Sequence, residues 1–259
     1  KILQFSEKEN TIMQIFEPFI WGFDDLEAIF FMTLLLFLYF ADIPYLGNEV
    51  PFYLCRITRK IWLAGQVVYI VCATAIYTVA ILLSTILICG QRCYVGNIWS
   101  ETAVKLAFTS AGKKLSLAAS EKTLELTRPY ACMTTIFFLL FAYALVMVLL
   151  IFWFRILWNE LAGMIAGVVF NGISFIFSPG ILQKLLGISE RKSYLANVAA
   201  GWISPLSHAT YHLHNFGYDR LPSLRDSGIY DMVLVIMLIL LNLYSIRTYH
   251  FVFDGTGER

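Results

Sequence analysis

The 259-residue chain is 59% hydrophobic and 16% aromatic, but only 14% of its residues are charged and its formal net charge is +1. A soluble domain carries about 25% charged residues, so this composition excludes a soluble globular protein, as well as disordered, collagen-like and disulfide-scaffold classes. The small net charge provides no overall basic field for nucleic acid. We therefore expect an all-α integral membrane protein whose main surroundings are the lipid bilayer.

Five segments are apolar enough to cross a bilayer core, which is about 30 Å thick and requires about 20 residues of helix. The ten-residue alternation of membrane β-strands is absent from the sequence, so helices are the expected spanning form. We expect a polytopic helical bundle in a single transmembrane domain, 1–259, with spans at about 28–46, 61–88, 133–154, 161–182 and 231–246.

Three longer polar segments separate or flank these spans. The segment 47–60 is basic, and the loops 91–131 and 183–230 are mixed in charge. Apolar residues recur at helical spacing within the first loop, which predicts an amphipathic helix. Because Pro179 and Pro205 interrupt the helical pattern around the second loop, short or re-entrant helices are expected there.

Charge counting gives conflicting indications of sidedness. The side that carries residues 1–27 and the two long loops has 13 lysines and arginines, and the opposite side has six. Cytoplasmic loops are enriched in these residues, so the raw count favours the first side. The first side is over three times longer, however, and the density of positive charge weakly favours the second side.

The basic segment 47–60 leads directly into the second span. Asn48 can cap a short helix that tolerates Pro51 in its first turn. Arg56, Arg59 and Lys60 then gather near the C-terminal end of that helix, where cations interact favourably with its dipole. One interpretation is a surface anchor against anionic lipid headgroups.

A more specific interpretation comes from the order of residues in this segment. The run Arg-x-x-Arg-Lys-x-Trp-Leu-x-Gly-Gln, from Arg56 to Gln66, follows a span that ends in Asp-x-Pro. It resembles the junction between the second and third spans in permease subunits of ABC-2 type transporters. Asn97-Ile98-Trp99-Ser100 and Trp202-Ile203-Ser204-Pro205 are similar to features of bacterial members of the same family.

The resemblance implies a cytoplasmic coupling helix within 47–60, external loops at 91–131 and 183–230, and a bacterial plasma-membrane location. It implies as partners separate ABC ATPase subunits, which bind ATP and Mg²⁺, and a second permease copy or homologue. Such permeases have six spans, so a sixth span is expected before Lys1. The coupling residues implied for the docking surface are Tyr53, Leu54, Arg56, Arg59 and Lys60.

No cofactor is expected on this chain itself. The nearest approach to a phosphate-binding loop, Ala107 to Lys114, lacks the first glycine and the final hydroxyl residue of that motif. A loop between spans also leaves no room for the parallel sheet that such motifs require. ATP hydrolysis is therefore expected on the partner chain, and the permease is expected not to be an enzyme.

An alternative function is a metal-dependent intramembrane enzyme that uses the histidines at 208, 212 and 214. His208 and His212 are four residues apart and would share one face of a helix, as zinc ligands do. The carboxylate of a His-Glu-x-x-His motif is missing, and Asp219 is the nearest acid in sequence. A non-transporting membrane anchor is a third possibility.

Small and polar residues inside the spans have two interpretations each. Gly163 and Gly167 form a Gly-x-x-x-Gly pair, which allows close helix packing within the chain or between two chains. Asn171 and Asn242 either line a translocation path or join helices by hydrogen bonds. Cys93 and Cys132 bracket the first long loop and are either bridged or free.

The 21 phenylalanines and 14 tyrosines suit contact with an apolar or amphipathic cargo, and equally suit contact with lipid. Export is the usual direction of transport in the family that the chain resembles. The resemblance therefore implies an exporter, and we expect an amphipathic or hydrophobic substrate, although composition alone does not choose it.

Overall fold

The computed structural model describes residues 1–44, 56–115, 117, 120–217 and 219–249. These residues are mainly helical, with one pair of two-residue parallel strands, β1 (Met13–Gln14) and β2 (Cys93–Tyr94). The helices are α1 (Ile2–Glu9), α2 (Glu17–Phe23), α3 (Leu26–Tyr39), α4 (Arg59–Cys89), α5 (Glu101–Phe108), α6 (Ser110–Leu115), α7 (Glu121–Leu126), α8 (Pro129–Leu157), α9 (Glu160–Ile176), α10 (Pro179–Leu185), α11 (Ser193–Ile203), α12 (Pro205–Ala209) and α13 (Leu224–Ser245).

Three helices, α4, α8 and α13, are long and apolar enough to cross a membrane. Each of these helices begins at residues that commonly start a helix. The Thr58 side chain accepts a hydrogen bond from the Ile61 amide at the start of α4, and Pro129 occupies the first turn of α8. At the start of α13, Ser223 and Asp226 form a reciprocal capping box.

The predicted span at 161–182 is bent. Helices α9 and α10 meet at an angle of 72°, and together they are apolar enough to form one broken span or a re-entrant loop. The break falls just before Pro179, which lacks an amide hydrogen and cannot continue the hydrogen-bond ladder of α9. A fourth membrane crossing therefore depends on this bent pair.

The predicted span at 28–46 contains the shorter helix α3. It has 14 residues, or roughly 21 Å at 1.5 Å per residue, which is less than the thickness of a bilayer core. The Asp25 side chain caps its start, and the helix ends at Tyr39. The described residues thus contain three or four candidate spans, where the hydropathy of the sequence predicted five.

Helix α8 occupies the centre of the bundle. It packs against α3, α4, α9 and α13, and 67% of its most apolar window is buried inside the protein. The corresponding fraction is 22% for both α4 and α13, which expose most of their apolar side chains outward. This contrast indicates that α8 is surrounded by protein and that α4 and α13 face the apolar surroundings.

The segments between helices gather at two opposite ends of the bundle. The larger group, which we call the cap, comprises the described residues within 1–25, 90–128 and 177–223. β1 pairs with β2 there, and Lys122 of α7 forms an ion pair with Asp219 at 2.7 Å. The smaller group, which we call the junction end, comprises residues 40–44, 56–60, 155–160 and 246–249.

The cysteines of the described residues are free thiols. Cys132 is buried in α8, and the Cys93 thiol donates a hydrogen bond to the Cys89 carbonyl at 3.1 Å. The bridge between Cys93 and Cys132 considered from the sequence is therefore absent from this structure.

Candidate functional site

The junction end contains part of the coupling segment predicted at 47–60. Tyr53 and Leu54 lie outside the described residues. Arg56, Arg59 and Lys60 are described, and all three are exposed. They lie at the start of α4, where the capping residue Thr58 fixes the direction in which the chain enters the helix.

The Arg59 side chain contacts the C-terminal end of α13. Its Nη1 donates to the carbonyl of Arg247 at 2.6 Å and to that of Ile246 at 3.4 Å. These carbonyls follow the last turn of α13, where the helix dipole favours a cation. Arg59 therefore connects the end of the coupling segment to α13, in addition to being exposed.

A second arginine at the same end, Arg155, was not identified as a site residue from the sequence. Its side chain is 2% exposed. Nη1 donates to the carbonyls of Phe40 at 2.9 Å and Ala41 at 2.7 Å, and also to that of Ile43. These carbonyls follow the end of α3, so Arg155 connects the chain that precedes the coupling segment to α8.

The isolation of Arg155 is a signal that sequence reasoning missed. It is the only charged residue between Pro129 and Leu157. A charge in a buried helix is costly unless it has partners, and backbone carbonyls are the partners found here. Its Nε and Nη2 lack hydrogen-bond partners among the described residues, although Glu160 lies 3.8 Å from Nη2.

The cap holds the histidine cluster. The Ser227 hydroxyl lies 2.8 Å from Nδ1 of His208 and 2.8 Å from Nε2 of His214. The other ring nitrogen of His208 contacts the Trp202 carbonyl at 3.2 Å, and that of His214 contacts the Tyr211 carbonyl at 3.1 Å. His208 and His214 are therefore joined through one serine, and both rings are buried.

The two rings and Ser227 make four polar contacts, but they supply only three hydrogens when both rings are neutral. Each carbonyl accepts a hydrogen from the ring nitrogen that faces it, so each neutral ring turns its unprotonated nitrogen toward Ser227. A hydroxyl donates only one hydrogen. Burial lowers the pKa of His208, and lowers that of His214 to about 4. Both rings are therefore neutral near pH 7, and one of the two contacts with Ser227 lacks a hydrogen.

His212 points away from this pair and binds Asp24. The His212 amide donates to the Asp24 carboxylate at 2.8 Å, and its ring Nδ1 lies 3.1 Å from the same oxygen. Burial lowers the pKa of His212, but the hydrogen bond and the charge of Asp24 outweigh burial and raise it. Asp24 is fully buried, and burial raises its pKa despite His212.

His208 and His212, which were expected to share one face of a helix, lie in two different elements of secondary structure. Helix α12 ends at Ala209, and His212 lies in a separate 3₁₀ turn, Tyr211–Leu213. The part of the chain that the structure describes contains no group of three or more histidine, cysteine, aspartate or glutamate side chains placed to hold a metal ion. His208 and His212 thus take part in separate hydrogen-bond networks.

The cap contains a second buried acid that the sequence did not reveal. Glu17 accepts hydrogen bonds from the Ser100 amide at 2.8 Å and from the Gln14 amide at 3.2 Å. Burial raises the pKa of Glu17, and these bonds oppose that effect. The Glu17-Pro18 pair at a helix start was the available sequence signal, since acids and proline both favour the first turn. Glu17 connects α2 to the chain that precedes α5.

The two asparagines predicted inside spans both lie between helices. Tyr143 of α8 donates to the Asn171 carbonyl oxygen at 2.6 Å, and the Asn171 amide donates to Thr33 of α3 at 2.8 Å. The Asn242 amide donates to the carbonyls of Leu238 at 2.8 Å and Leu149 at 3.4 Å. Both asparagines are fully buried, so they join helices in this conformation.

The Gly-x-x-x-Gly pair packs inside the chain. A Cβ atom on Gly163 would lie 2.5 Å from Cγ of Arg155 and 2.7 Å from the Ile151 carbonyl oxygen. A Cβ atom on Gly167 would lie 2.8 Å from the ring of Phe37. The missing side chains therefore allow α9 to approach α8 and α3 closely.

Comparison with known proteins identified no relative. No protein-family model matches the chain, and no curated protein or solved structure is significantly similar to it.

Proposed function

We propose that the chain is the membrane-spanning permease subunit of an ATP-driven ABC-2 type transporter, coupled to separate ATPase subunits through residues 47–60. The proposal rests on the sequence resemblance at the start of α4 and on the arrangement of the junction end. It also rests on three helices of membrane-spanning length, as a multi-pass protein of the cell membrane requires.

The observation that carries the proposal is the pair of arginines that flank the coupling segment. Arg155 binds the carbonyls that precede the segment, and Arg59, at its end, binds the carbonyls that follow α13. A force applied to the segment would therefore reach α8 on one side and α13 on the other. A coupling element needs such connections, because an isolated loop would move without moving the bundle.

The density of positive charge favours a cytoplasmic junction end, because its short segments are rich in lysine and arginine for their length. Exposed cations occur at both ends, since Arg191 and Lys192 of the cap are also exposed and form no ion pair with another described residue. Arg56 and Lys60 are exposed, and neither forms an ion pair with another described residue. Unpaired cations in short segments beside spans are typical of the cytoplasmic side, and they are available to an acidic surface on an ATPase.

In the proposed mechanism, closure of the ATPases moves the coupling segment as a unit. Arg59 then pulls on α13 and Arg155 on the α8–α9 pair, and the bundle rearranges around a path shared with a second permease. The proposed cargo is amphipathic or apolar. A groove of about 560 Å³ between α8 and α9, lined by Trp153, Phe154 and Trp158 among other apolar side chains, suits such contacts.

Purification from native membranes tests the proposal. An affinity-tagged chain extracted in mild detergent is expected to bring an ATPase chain with it. Reversal of two exposed charges, Arg56→Glu with Lys60→Glu, is expected to reduce the recovered ATPase at least about tenfold, because like charges across an interface cost several kcal/mol.

The matched control reverses two exposed charges in the cap, Arg191→Glu with Lys192→Glu, and should leave the recovery of ATPase unchanged. Absence of any ATPase from the unmodified preparation would contradict the transporter function itself. Equal recovery from both double variants would remove Arg56 and Lys60 from the docking surface.

A further inference from the structure

Asp231 lies two turns into α13 and has no role in the contacts described so far. The residue is 3% exposed. Neither carboxyl oxygen has a hydrogen-bond partner among the described residues. An acid in this position contrasts with Asp24 and Glu17, which are also buried but accept hydrogen bonds from backbone amides.

The nearest titratable groups do not neutralise Asp231. Tyr143 of α8 and the adjacent Tyr230 are close enough to interact with its charge. The Tyr143 hydroxyl donates to Asn171 instead. The Tyr230 ring stacks on His208 of α12 at a centroid distance of 4.2 Å, and His208 binds Ser227, one turn before Asp231.

The described helices packed against α13 bring no lysine or arginine to this region. On α4, Tyr69 and Cys72 are exposed, and the Tyr77 hydroxyl donates to the Met32 carbonyl at 2.7 Å. The sequence of α4 has no charged residue after Lys60. The charged residues of α8 and α9, Arg155 and Glu160, lie at the junction end.

The other charged residues of α13 itself, Arg225 and Asp226, lie at its outer end. Arg225 is exposed and acts on Asp226, whose carboxylate belongs to the capping box of the helix. Among the described residues, Asp231 therefore has no lysine or arginine in an ion pair with it to balance a negative charge. The cost of burying an unpaired carboxylate greatly exceeds the cost of burying a neutral acid with one unmade hydrogen bond. The neutral acid is the form that this environment favours.

We propose that Asp231 is a proton-binding site, protonated in this conformation and able to release its proton when a rearrangement of the bundle brings water to α13. In the release step the O–H bond of the carboxylic acid breaks, the electron pair stays on the carboxylate, and water takes the proton. The protonated state follows from the geometry alone, whereas release during a transport cycle rests on the proposed function.

Infrared spectroscopy of the full chain in lipid nanodiscs at pH 6 tests the protonated state. The carbonyl stretch of a protonated carboxylic acid is separate from the bands of a carboxylate, and it shifts in heavy water. We expect Asp231→Asn to lose the intensity of one protonated carboxyl group. The matched control is Glu125→Gln, at an exposed acid of the cap, and should lose none.

A thermal melt provides a second readout. Asp231 should contribute stability that is lost as the pH rises above the range in which an ordinary aspartate ionises, because Asp231 ionises readily only when the chain is unfolded. The Asp231→Asn variant should lack this part of the pH dependence. The same comparison made with Asp231→Ser remains informative if the asparagine variant folds poorly.

Identical protonated-carbonyl intensity in the unmodified chain and the Asp231→Asn variant would overturn the proposal. So would a carboxylate band of Asp231 that changes with sodium concentration, since that result indicates a metal cation instead of a proton. Both outcomes are independent of the ATPase experiment, so failure of the transporter function and failure of the proton site are distinguishable.

Discussion

At the scale of single residues, the informative side chains are the polar ones that the fold has removed from water. Asp24 lies 188 positions from its partner His212, and Glu17 lies 83 positions from Ser100. Each pair joins parts of the cap that are distant in sequence. Because an unpaired buried polar group destabilises a protein, such pairs also select one arrangement of the cap over others.

The His208–Ser227–His214 chain predicts how the stability of the cap changes with pH. The pKa of His214 is lowered to about 4 by burial, and that of His208 is also lowered. Between pH 6.5 and 4 the unfolded chain binds more protons than the folded chain, so stability present above pH 6.5 is lost as the pH falls. This histidine pair should therefore lower the melting temperature as the pH falls from 7 to 5, an effect opposite in sign to that of Asp231.

The His214→Asn variant should show a shallower decrease, because asparagine does not titrate. It keeps a donor for the Tyr211 carbonyl but loses the contact with Ser227, at a cost of about 1 kcal/mol at pH 7. His212→Asn is the matched control. The pKa of His212 is raised, so its stabilisation is greatest at low pH, and its removal should steepen the decrease. Equal slopes in all three proteins would contradict this account.

At the scale of elements, the packing of α9 depends on which side of the helix its glycines face. Gly163→Ala would place a methyl group 2.7 Å from the Ile151 carbonyl oxygen, and a backbone atom cannot rotate away. We expect α8 and α9 to separate slightly, at a cost of about 1–3 kcal/mol. The measurement is the melting temperature of the detergent-solubilised chain.

Gly172, in the same helix, provides the comparison for that variant. A Cβ atom there would meet nothing within 4 Å. Gly172→Ala should be neutral or stabilise the helix by up to about 1 kcal/mol, because alanine has the higher helix propensity. If both variants melt at the same temperature, close approach at Gly163 does not limit the packing of α8 and α9.

Hydropathy located the long helices well and the shorter elements poorly. The predicted spans 61–88, 133–154 and 231–246 correspond to α4, α8 and α13 because a long apolar run in a membrane has only the helix available. The predicted span 28–46 was longer than the helix found there. Helix α3 ends at Tyr39, and the carbonyl of the next residue, Phe40, accepts a hydrogen bond from Arg155. That contact spans 115 positions and leaves no local signal.

The candidate site residues were predictable only as far as local chemistry determines them. A cluster of cations at the start of α4 is visible in the sequence, but the contact of Arg59 with the end of α13 is not. The histidines were visible as a cluster, and their division between Ser227 and Asp24 depends on the turn at Thr210. In both cases, contacts between residues distant in sequence determine the partners of these side chains.

At the scale of the whole molecule, the charges are divided between two ends that differ in size. The larger cap holds Arg92, Lys105 and Lys122 in ion pairs and leaves other cations exposed. The smaller junction end presents Arg56 and Lys60, which are exposed and form no ion pair with another described residue. The central helix α8 connects the two ends. A movement that begins at the coupling segment would therefore reach the cap through α8 or α13, which carry Tyr143 and Asp231 respectively.

The orientation of the two ends in the membrane is the prediction that tests this scheme most directly. Arg56→Cys at the junction end and Glu125→Cys in the cap each introduce an exposed thiol, with Cys55→Ser added to both variants to remove a neighbouring thiol. In intact cells, a membrane-impermeant maleimide should label the variant at 125. It should label the variant at 56 only after permeabilisation, because we place the junction end in the cytoplasm.

The other native thiols of the described residues should contribute little to this labelling. Cys89 and Cys132 are buried, and Cys72 lies on the apolar outer face of α4. Burial raises the pKa of Cys93 to about 11, so at neutral pH it is almost entirely the unreactive thiol. The opposite labelling pattern would put the cap in the cytoplasm, where the paired charges of the cap would meet an ATPase and Arg56 and Lys60 would face the exterior. Coupling through Arg59 and Arg155 would then have to be abandoned, while the protonation of Asp231, which depends only on its buried surroundings, would still stand.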